Sequence, residues 1–275
     1  MTLLQAILLA ILQGVTELFP ISSLGHAVIV PALLHWGVDQ NAEGFLPFLA
    51  VMHLGTAIAL LGYFWRDWLG FAWSVLRFRD PAGAVDRRLF CRVVVATIPA
   101  VILGGLFEKT LKHGFGAPML AAAFLIVNGV MLFGAERFER ATQRPLGDLR
   151  WRDALIIGFW QCLALIPGMS RSGATMAGGY LTGLNHEDAA RFSFLTATPI
   201  ILGGVALEGP KLLHHHSAFG TAALVAGAVA GVTALISVWA LMRWFSIREV
   251  KGFDPFAIYC WIAGIGSIIL LSVHP

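Results

Sequence analysis

Residues Gln13–His26 read QGVTELFPISSLGH, and residues Pro167–Thr175 read PGMSRSGAT. Both stretches interrupt long apolar regions with charged, hydroxylated and helix-breaking residues. The chain of 275 residues is 57% hydrophobic and only 13% charged, whereas a soluble domain carries about 25% charged residues. Too few charged side chains remain to cover a water-exposed surface. The composition therefore predicts an all-α polytopic membrane protein in which both polar stretches lie at membrane depth.

Six apolar segments are predicted to cross the membrane. Four have the length of a spanning helix, about 20 residues, and the other two, residues 89–107 with Arg92 and residues 192–207, are shorter or carry a charge near one end. Two other apolar regions, residues 3–38 and 154–186, contain the polar stretches. Each of these two regions predicts a pair of short helices joined by a turn, because irregular backbone in a membrane must be surrounded by protein or by a wet cavity. The six predicted spans are residues 45–65, 89–107, 117–135, 192–207, 217–242 and 255–273.

Basic residues cluster in residues 66–92, 136–153 and 243–251. Loops rich in arginine and lysine are usually cytoplasmic. Six crossings agree with this alternation when each broken region enters and leaves the membrane on the same side. We therefore expect two re-entrant helical hairpins that enter from opposite faces.

This topology predicts an inverted repeat within a single membrane domain, residues 1–275. The first repeat covers about residues 1–135, with the hairpin 3–38 and three spans. The second covers about residues 154–275, with the hairpin 154–186 and three spans. Inverted repeats place binding sites near the membrane midplane, at discontinuous helices.

The net charge of +3 does not indicate a nucleic-acid partner, because the basic residues lie in short loops between apolar segments. The three cysteines, Cys91, Cys162 and Cys260, are isolated in apolar stretches. Their spacing fits small buried side chains better than a zinc site or a disulfide framework.

Glu17 is the first candidate functional residue. Gln13 and Glu17 are four residues apart and therefore share one face of the first short helix. Pro20 predicts the end of this helix, so the carboxylate lies near the negative C-terminal end and requires a nearby cation, from the protein or from a metal. Because ionisable groups inside membranes are costly, we interpret Glu17 as functional; a structural hydrogen bond to neighbouring helices is the alternative.

A second short helix is expected to begin at Ser22 or Ser23, since serine is a favoured N-cap residue. His26 follows Ser23 by three residues, within expected reach of its hydroxyl. A serine beside a histidine at a helix N-terminus suits nucleophile activation or phosphate contact. Capping alone explains one of the two serines but not the histidine.

The second stretch places Arg171 among glycines and hydroxyls. Glycine lets the backbone approach a ligand closely, and the planar guanidinium matches phosphate oxygens. A structural ion pair between Arg171 and Glu17 is the alternative, and such a pair is compatible with a functional site. His53, in the middle of a predicted span, either lines the same cavity or is buried in helix packing.

These two segments together resemble the bacterial undecaprenyl-diphosphatase family, also known as bacitracin-resistance proteins. Gln13, Glu17 and the Ser22–His26 element are similar to the first motif of that family, and Pro167–Gly173 is similar to the second over its full length. The resemblance extends over essentially the whole chain in length and hydropathy. The first acidic position of the family is Gln13 here, a variant that the family permits, and it replaces one possible carboxylate ligand of a metal by a carboxamide.

The resemblance implies hydrolysis of a C55 polyprenyl diphosphate to its monophosphate in the bacterial inner membrane, with a divalent cation (Mg²⁺ or Ca²⁺) and a site open to the periplasm. The expected partners are the polyprenyl diphosphate substrate and membrane lipid; a homodimer is an alternative to a monomer. By motif match, Glu17, Ser23, His26 and Arg171 are catalytic; Ser22, Gly25, Ser170, Arg171, Ser172, Gly173 and Thr175 contact phosphate; Glu17 and Gln13 hold the metal.

The mechanism expected on this basis is attack of Ser23 on the terminal phosphorus, with His26 as base or proton relay. His26 or water is the alternative nucleophile. A secondary transporter or lipid flippase is the rival function, because inverted repeats with broken helices are common in transporters. A non-catalytic membrane scaffold leaves the intramembrane arginine and glutamate unexplained.

Overall fold

A computed structural model describes residues 1–38, 44–114, 116–138, 144–214, 220–248 and 251–273, without the side chains of residues 108–114, 208–214, 220 and 221. The described chain is overwhelmingly α-helical. Its helices are α1 (Leu3–Thr16), α2 (Ser23–Leu33), α3 (Phe45–Tyr63), α4 (Trp65–Leu76), α5 (Ala84–Gly114), α6 (Pro118–Arg137), α7 (Trp151–Gln161), α8 (Arg171–Leu181), α9 (His186–His214), α10 (Gly220–Ile247) and α11 (Asp254–Val273).

Within the described residues, 6 helices are long and apolar enough to cross a membrane. The prediction of an all-α polytopic membrane protein with six spans is therefore confirmed. The apolar segments are Phe45–Tyr63, Pro81–Phe107, Pro118–Arg137, His186–Leu207, Ala222–Ile247 and Asp254–Val273. Residues 217–219 of the predicted span 217–242 lie outside the described residues.

Two spans begin earlier than predicted because polar residues form their first turns. α5 begins at Ala84, and its first turn contains Asp86, whose negative charge suits a helix N-terminus. α9 begins at His186, where the Asn185 side chain accepts a hydrogen bond from the backbone N–H of Asp188 at 2.7 Å. A capping side chain of this kind starts a helix ahead of its apolar segment.

Both broken regions contain two short helices with an irregular turn between them. α1 ends at Thr16, with Glu17 as its C-cap residue, and α2 begins at Ser23. α7 ends at Gln161, continues as a 3₁₀ turn over Cys162–Leu165, and is followed by α8 from Arg171. The interruption of each region is confirmed, whereas re-entry from opposite membrane faces stays a prediction.

The two halves of the chain are interleaved in their packing. α1, the first short helix, packs against α10 of the second half, and α7 packs against α5 of the first half. α3 contacts α9, and α6 contacts α11. Each half thus contributes to the surroundings of the other half's broken region, whereas the division into two inverted repeats stays a prediction.

Polar contacts join the predicted cytoplasmic loops at one end of the bundle. The buried Glu136 carboxylate accepts hydrogen bonds from the backbone N–H groups of Lys251 at 2.8 Å and Phe253 at 2.9 Å. At the start of α9, Arg191 contacts Asp67 of α4 at 2.5 Å. These contacts hold the ends of α4, α6, α9 and α11 together and leave the two breaks in the bundle interior.

Candidate active site

The two breaks meet directly in the interior of the bundle. A Cβ atom added to Gly25 would lie 3.2 Å from the Cα of Gly168, which measures how closely the two backbones approach. Gly168 has a φ of 96°, and its own added Cβ would lie 2.2 Å from the carbonyl oxygen of Ala121. Only glycine satisfies both the left-handed conformation and this contact.

Asn128, in the middle of α6, bridges the two breaks. Its Nδ2 donates to the carbonyl oxygen of Pro20 at 2.9 Å, and its Oδ1 accepts from the backbone N–H of Ser170 at 3.0 Å. The side chain is fully buried. One carboxamide therefore satisfies a carbonyl of the first break and an amide of the second, so it fixes their relative position.

The two helices that follow the breaks begin in the same way. The Ser22 hydroxyl accepts from the Gly25 N–H at 3.2 Å, and the Ser170 hydroxyl accepts from the Gly173 N–H at 3.0 Å. Ser22 has a φ of 71°, a conformation that costs a non-glycine residue about 1–3 kcal/mol and is often found at functional sites. Both N-termini carry partial positive charge, which favours an anionic ligand.

Glu17 lies between the two breaks and is surrounded by donors. Its Oε1 accepts from Arg171 Nη2 at 2.6 Å. Its Oε2 accepts from the Ser23 hydroxyl at 2.5 Å and from Gln13 Nε2 at 3.2 Å. His53 Nε2 lies 3.3 Å from the same Oε2 atom. The carboxylate thus connects the serine of the first break to the arginine of the second.

Arg171 is the first residue of α8 and is held by the protein on both ends of its guanidinium. Nη2 binds Glu17, and Nη1 donates to the carbonyl oxygen of Ser193 at 3.3 Å. The side chains of Arg171 and Glu17 are 12% and 7% exposed. Their pairing compensates both charges in the absence of ligand, and the remaining exposure of Arg171 lies in the cavity that it lines.

A cavity of about 320 Å³ opens where the breaks meet. One side is polar and includes Glu17, Ser23, His53 and Arg171. The remainder is largely apolar, which suits an anionic group joined to a hydrocarbon chain. The apolar lining comes from both halves of the chain: Leu46, Leu49, Ala50, Ala100, Leu165, Met169, Ile200, Ile201 and Val205.

His26 does not contact the Ser23 hydroxyl, and that expectation is corrected. Its Nδ1 contacts the carbonyl oxygen of Ser22 at 2.6 Å, and its Nε2 contacts the hydroxyl of Tyr259 at 2.8 Å. The ring folds back along its own helix and then reaches α11, so both nitrogens have other partners. His26 supports the strained Ser22 backbone from behind the cavity.

The other hydroxyls of the second break bind protein atoms. Ser172 donates to the carbonyl oxygen of Phe19 at 3.1 Å, and it contacts the Ser170 hydroxyl at 3.0 Å. The Thr175 hydroxyl contacts that of Ser193 at 2.5 Å. Ser22, Ser170 and Arg171 line the cavity. Of the residues predicted to contact phosphate, these three are therefore the ones that a ligand reaches without rearrangement.

The surroundings of Glu17 do not fit a resident divalent cation. Mg²⁺ is usually held by one or two carboxylates together with substrate phosphates and water, but four nitrogen or hydroxyl groups already contact the two oxygens of this carboxylate. Gln13 turns its amide nitrogen to Glu17, and its buried Oε1 has no partner. Among the described residues, no group of three or more His, Cys, Asp or Glu side chains could hold a metal ion.

Sequence reasoning identified three of the converging residues and missed others. Glu17, Ser23 and Arg171 meet as expected, and His53 is confirmed as a cavity residue. Asn128 was missed, although a single carboxamide in the middle of an apolar span is a recognisable signal. Tyr259 was missed as well, since aromatic residues in spans are common and only the tertiary structure brings it to His26.

Comparison with known proteins gives a consistent result over nearly the full chain. The family model described as Bacitracin resistance protein BacA matches residues 6–266. The undecaprenyl-diphosphatase of Acidiphilium cryptum is 52% identical over 280 residues, which covers 98% of this chain and 99% of that protein. That of Gluconobacter oxydans is 49% identical, with 98% and 100% covered. Undecaprenyl-diphosphatase 2 of Oenococcus oeni is 42% identical, with 98% of each covered.

Proposed function

The chain belongs to the bacitracin resistance protein BacA family, and on this premise we propose that it is an undecaprenyl-diphosphate phosphatase. It releases inorganic phosphate from undecaprenyl diphosphate and returns undecaprenyl phosphate to peptidoglycan synthesis, and this activity confers bacitracin resistance. The observation that carries the proposal is the contact of Glu17 with both Ser23 and Arg171, because it joins a nucleophile, a base and a phosphate-binding cation.

The first chemical step is attack of Ser23 on the terminal phosphorus. The Ser23 O–H bond breaks and its proton passes to Glu17 Oε2, with which the hydroxyl already forms a 2.5 Å hydrogen bond. A bond forms between the serine oxygen and phosphorus, and the bond from phosphorus to the bridging oxygen breaks. Undecaprenyl phosphate leaves with the electron pair of that bond, and Glu17 returns the proton to it.

The second step hydrolyses the phosphoserine. Water attacks the phosphorus, the serine–phosphorus bond breaks, and a proton passes through Glu17 to the Ser23 oxygen. Arg171 and the N-termini of α2 and α8 stabilise the charge on the phosphate oxygens in both steps. Because the leaving group is itself a phosphate ester, charge stabilisation contributes more than protonation of the leaving oxygen.

We further propose that the apolar cavity lining holds the first isoprene units and that the remaining chain stays in the bilayer. In this proposal the enzyme lies in the bacterial inner membrane and its cavity opens to the periplasm. This orientation is supported by the arginine-rich loops, which gather at one end of the bundle and are expected in the cytoplasm.

The deciding experiment measures phosphate release from undecaprenyl diphosphate by purified protein in detergent micelles. Wild-type protein is expected to turn over, and Ser23→Ala is expected to lose at least about 10³-fold in kcat, as enzymes do without their nucleophile. Ser246→Ala, an exposed hydroxyl at the end of α10, is the matched control. A transporter or flippase would release no phosphate in micelles. Wild-type turnover in Ser23→Ala would instead refute Ser23 as the nucleophile.

A further inference from the structure

His53 is a polar residue that the phosphatase mechanism above does not use. It lies in the middle of α3, on a span whose other members are almost all apolar, and its side chain is 25% exposed. It lines the cavity together with Glu17 and Arg171. His53 therefore does more than fill space between helices, because it faces both the cavity and the Glu17 carboxylate.

The contacts of His53 determine what its ring presents to Glu17. Nδ1 lies 2.8 Å from the carbonyl oxygen of Leu49, one turn earlier on the same helix. Nε2 lies 3.3 Å from Glu17 Oε2. The backbone contact therefore fixes the ring orientation and turns Nε2 towards the carboxylate.

Glu17 is consequently held between Arg171 and His53. Arg171 binds Oε1, and His53 contacts Oε2, the oxygen that accepts the Ser23 hydroxyl. A divalent cation on this carboxylate would compete with both.

We propose that His53 is a further positioning residue of the phosphoryl transfer, which holds Glu17 Oε2 towards Ser23 in the place that a divalent cation would otherwise take. This inference rests on the proposed phosphatase function. It explains how the carboxylate is held for Ser23 although Gln13 replaces the first acidic position, since His53 contacts the same oxygen that accepts the Ser23 hydroxyl.

The first test separates positioning from binding. His53→Leu is expected to lower kcat by about 10- to 100-fold, the effect of one hydrogen bond to a charged group, while KM for undecaprenyl diphosphate changes by less than about twofold. His53→Gln, which keeps an N–H donor, is expected to recover part of the loss. Thr56→Val, one turn along α3 with its hydroxyl bonded to the His53 carbonyl, controls for damage to the helix. An unchanged kcat, or a change in KM alone, would overturn the inference.

The second test replaces His53 by a side chain that binds divalent cations. His53→Glu places two carboxylates together, so its thermal unfolding temperature in detergent is expected to rise with added Mg²⁺, whereas that of wild-type protein does not. Turnover of wild-type protein is expected to persist in EDTA. Turnover that EDTA abolishes and Mg²⁺ restores would overturn the inference while leaving the phosphatase function intact. Wild-type protein that releases no phosphate with or without Mg²⁺ would refute the function itself.

Discussion

Replacing Arg171 by methionine removes the cation that joins the two breaks while keeping an unbranched side chain of comparable length. In the wild-type protein its Nη2 lies 2.6 Å from Glu17 Oε1, and both side chains are largely buried. A hydrogen bond to a charged group contributes about 1.5–3 kcal/mol to stability. The Arg171→Met protein is therefore expected to lose about that much unfolding free energy, because Glu17 keeps His53, Ser23 and Gln13 as partners.

The effect on catalysis should be larger, because the guanidinium also stabilises the charge that develops on the transferred phosphoryl group. Loss of one preorganised donor of this kind costs about 2.7–4 kcal/mol of transition-state stabilisation, or about 10²–10³ in kcat. Phosphate release is measured at saturating undecaprenyl diphosphate. Arg137→Met provides the control, since the Arg137–Asp254 pair at the end of the bundle is exposed and such pairs contribute about 0–1 kcal/mol.

A double-mutant cycle with Glu17→Gln tests whether the two side chains act as a pair. The stability losses of Arg171→Met and Glu17→Gln are expected to be non-additive by about 1.5–3 kcal/mol, since either change alone breaks the same hydrogen bond. Chemical denaturation in detergent measures this coupling. Additive losses, or turnover of Arg171→Met within about tenfold of wild type, would refute the assigned role of Arg171.

Two further outcomes follow from residues behind the cavity. Asn128→Leu should lower the unfolding free energy by about 1–3 kcal/mol, because it leaves a buried carbonyl at Pro20 and a buried amide at Ser170 without partners. Chemical denaturation in detergent measures this loss. A stability equal to that of wild-type protein would contradict the bridging role. Tyr259→Phe should cost a similar amount of stability, since His26 Nε2 loses its partner, yet kcat should stay within about threefold of wild type. A loss in kcat of about 100-fold in the phosphate-release assay would instead show that His26 takes part in catalysis.

Much of the architecture was predictable because membrane helices obey a length and polarity rule that needs no tertiary information. The six spans follow from apolar length. The breaks at Glu17–Ser22 and Pro167–Ser170 follow from proline, glycine and charge in segments where each is costly. The starts of α5 and α9 were predicted too late, since a polar first turn with Asp86 and capping by Asn185 extend these helices beyond their apolar parts.

The site was only partly predictable for a different reason. Glu17 and Arg171 are 154 residues apart in sequence, and their burial cost alone indicated that each needs a partner. The contacts of His26 and His53 could not be derived from burial cost. His26 and Ser23 are neighbours along one helix, but side-chain direction decided that the ring turns to Ser22 and Tyr259. His53 reaches Glu17 because α3 and α1 are neighbours in the bundle.

The amino-acid sequence by itself therefore determined that this is a helical membrane protein with two polar breaks, and it identified the charged residues that must be compensated there. Composition and local spacing decide these features, because the bilayer penalises every exposed charge and every unsatisfied backbone group. Only the tertiary structure decided which donors surround Glu17. Hydrogen bonds between residues far apart in the chain depend on the packing of whole helices, and that packing gives the carboxylate an arginine, a serine and a histidine in the setting where a divalent cation was expected.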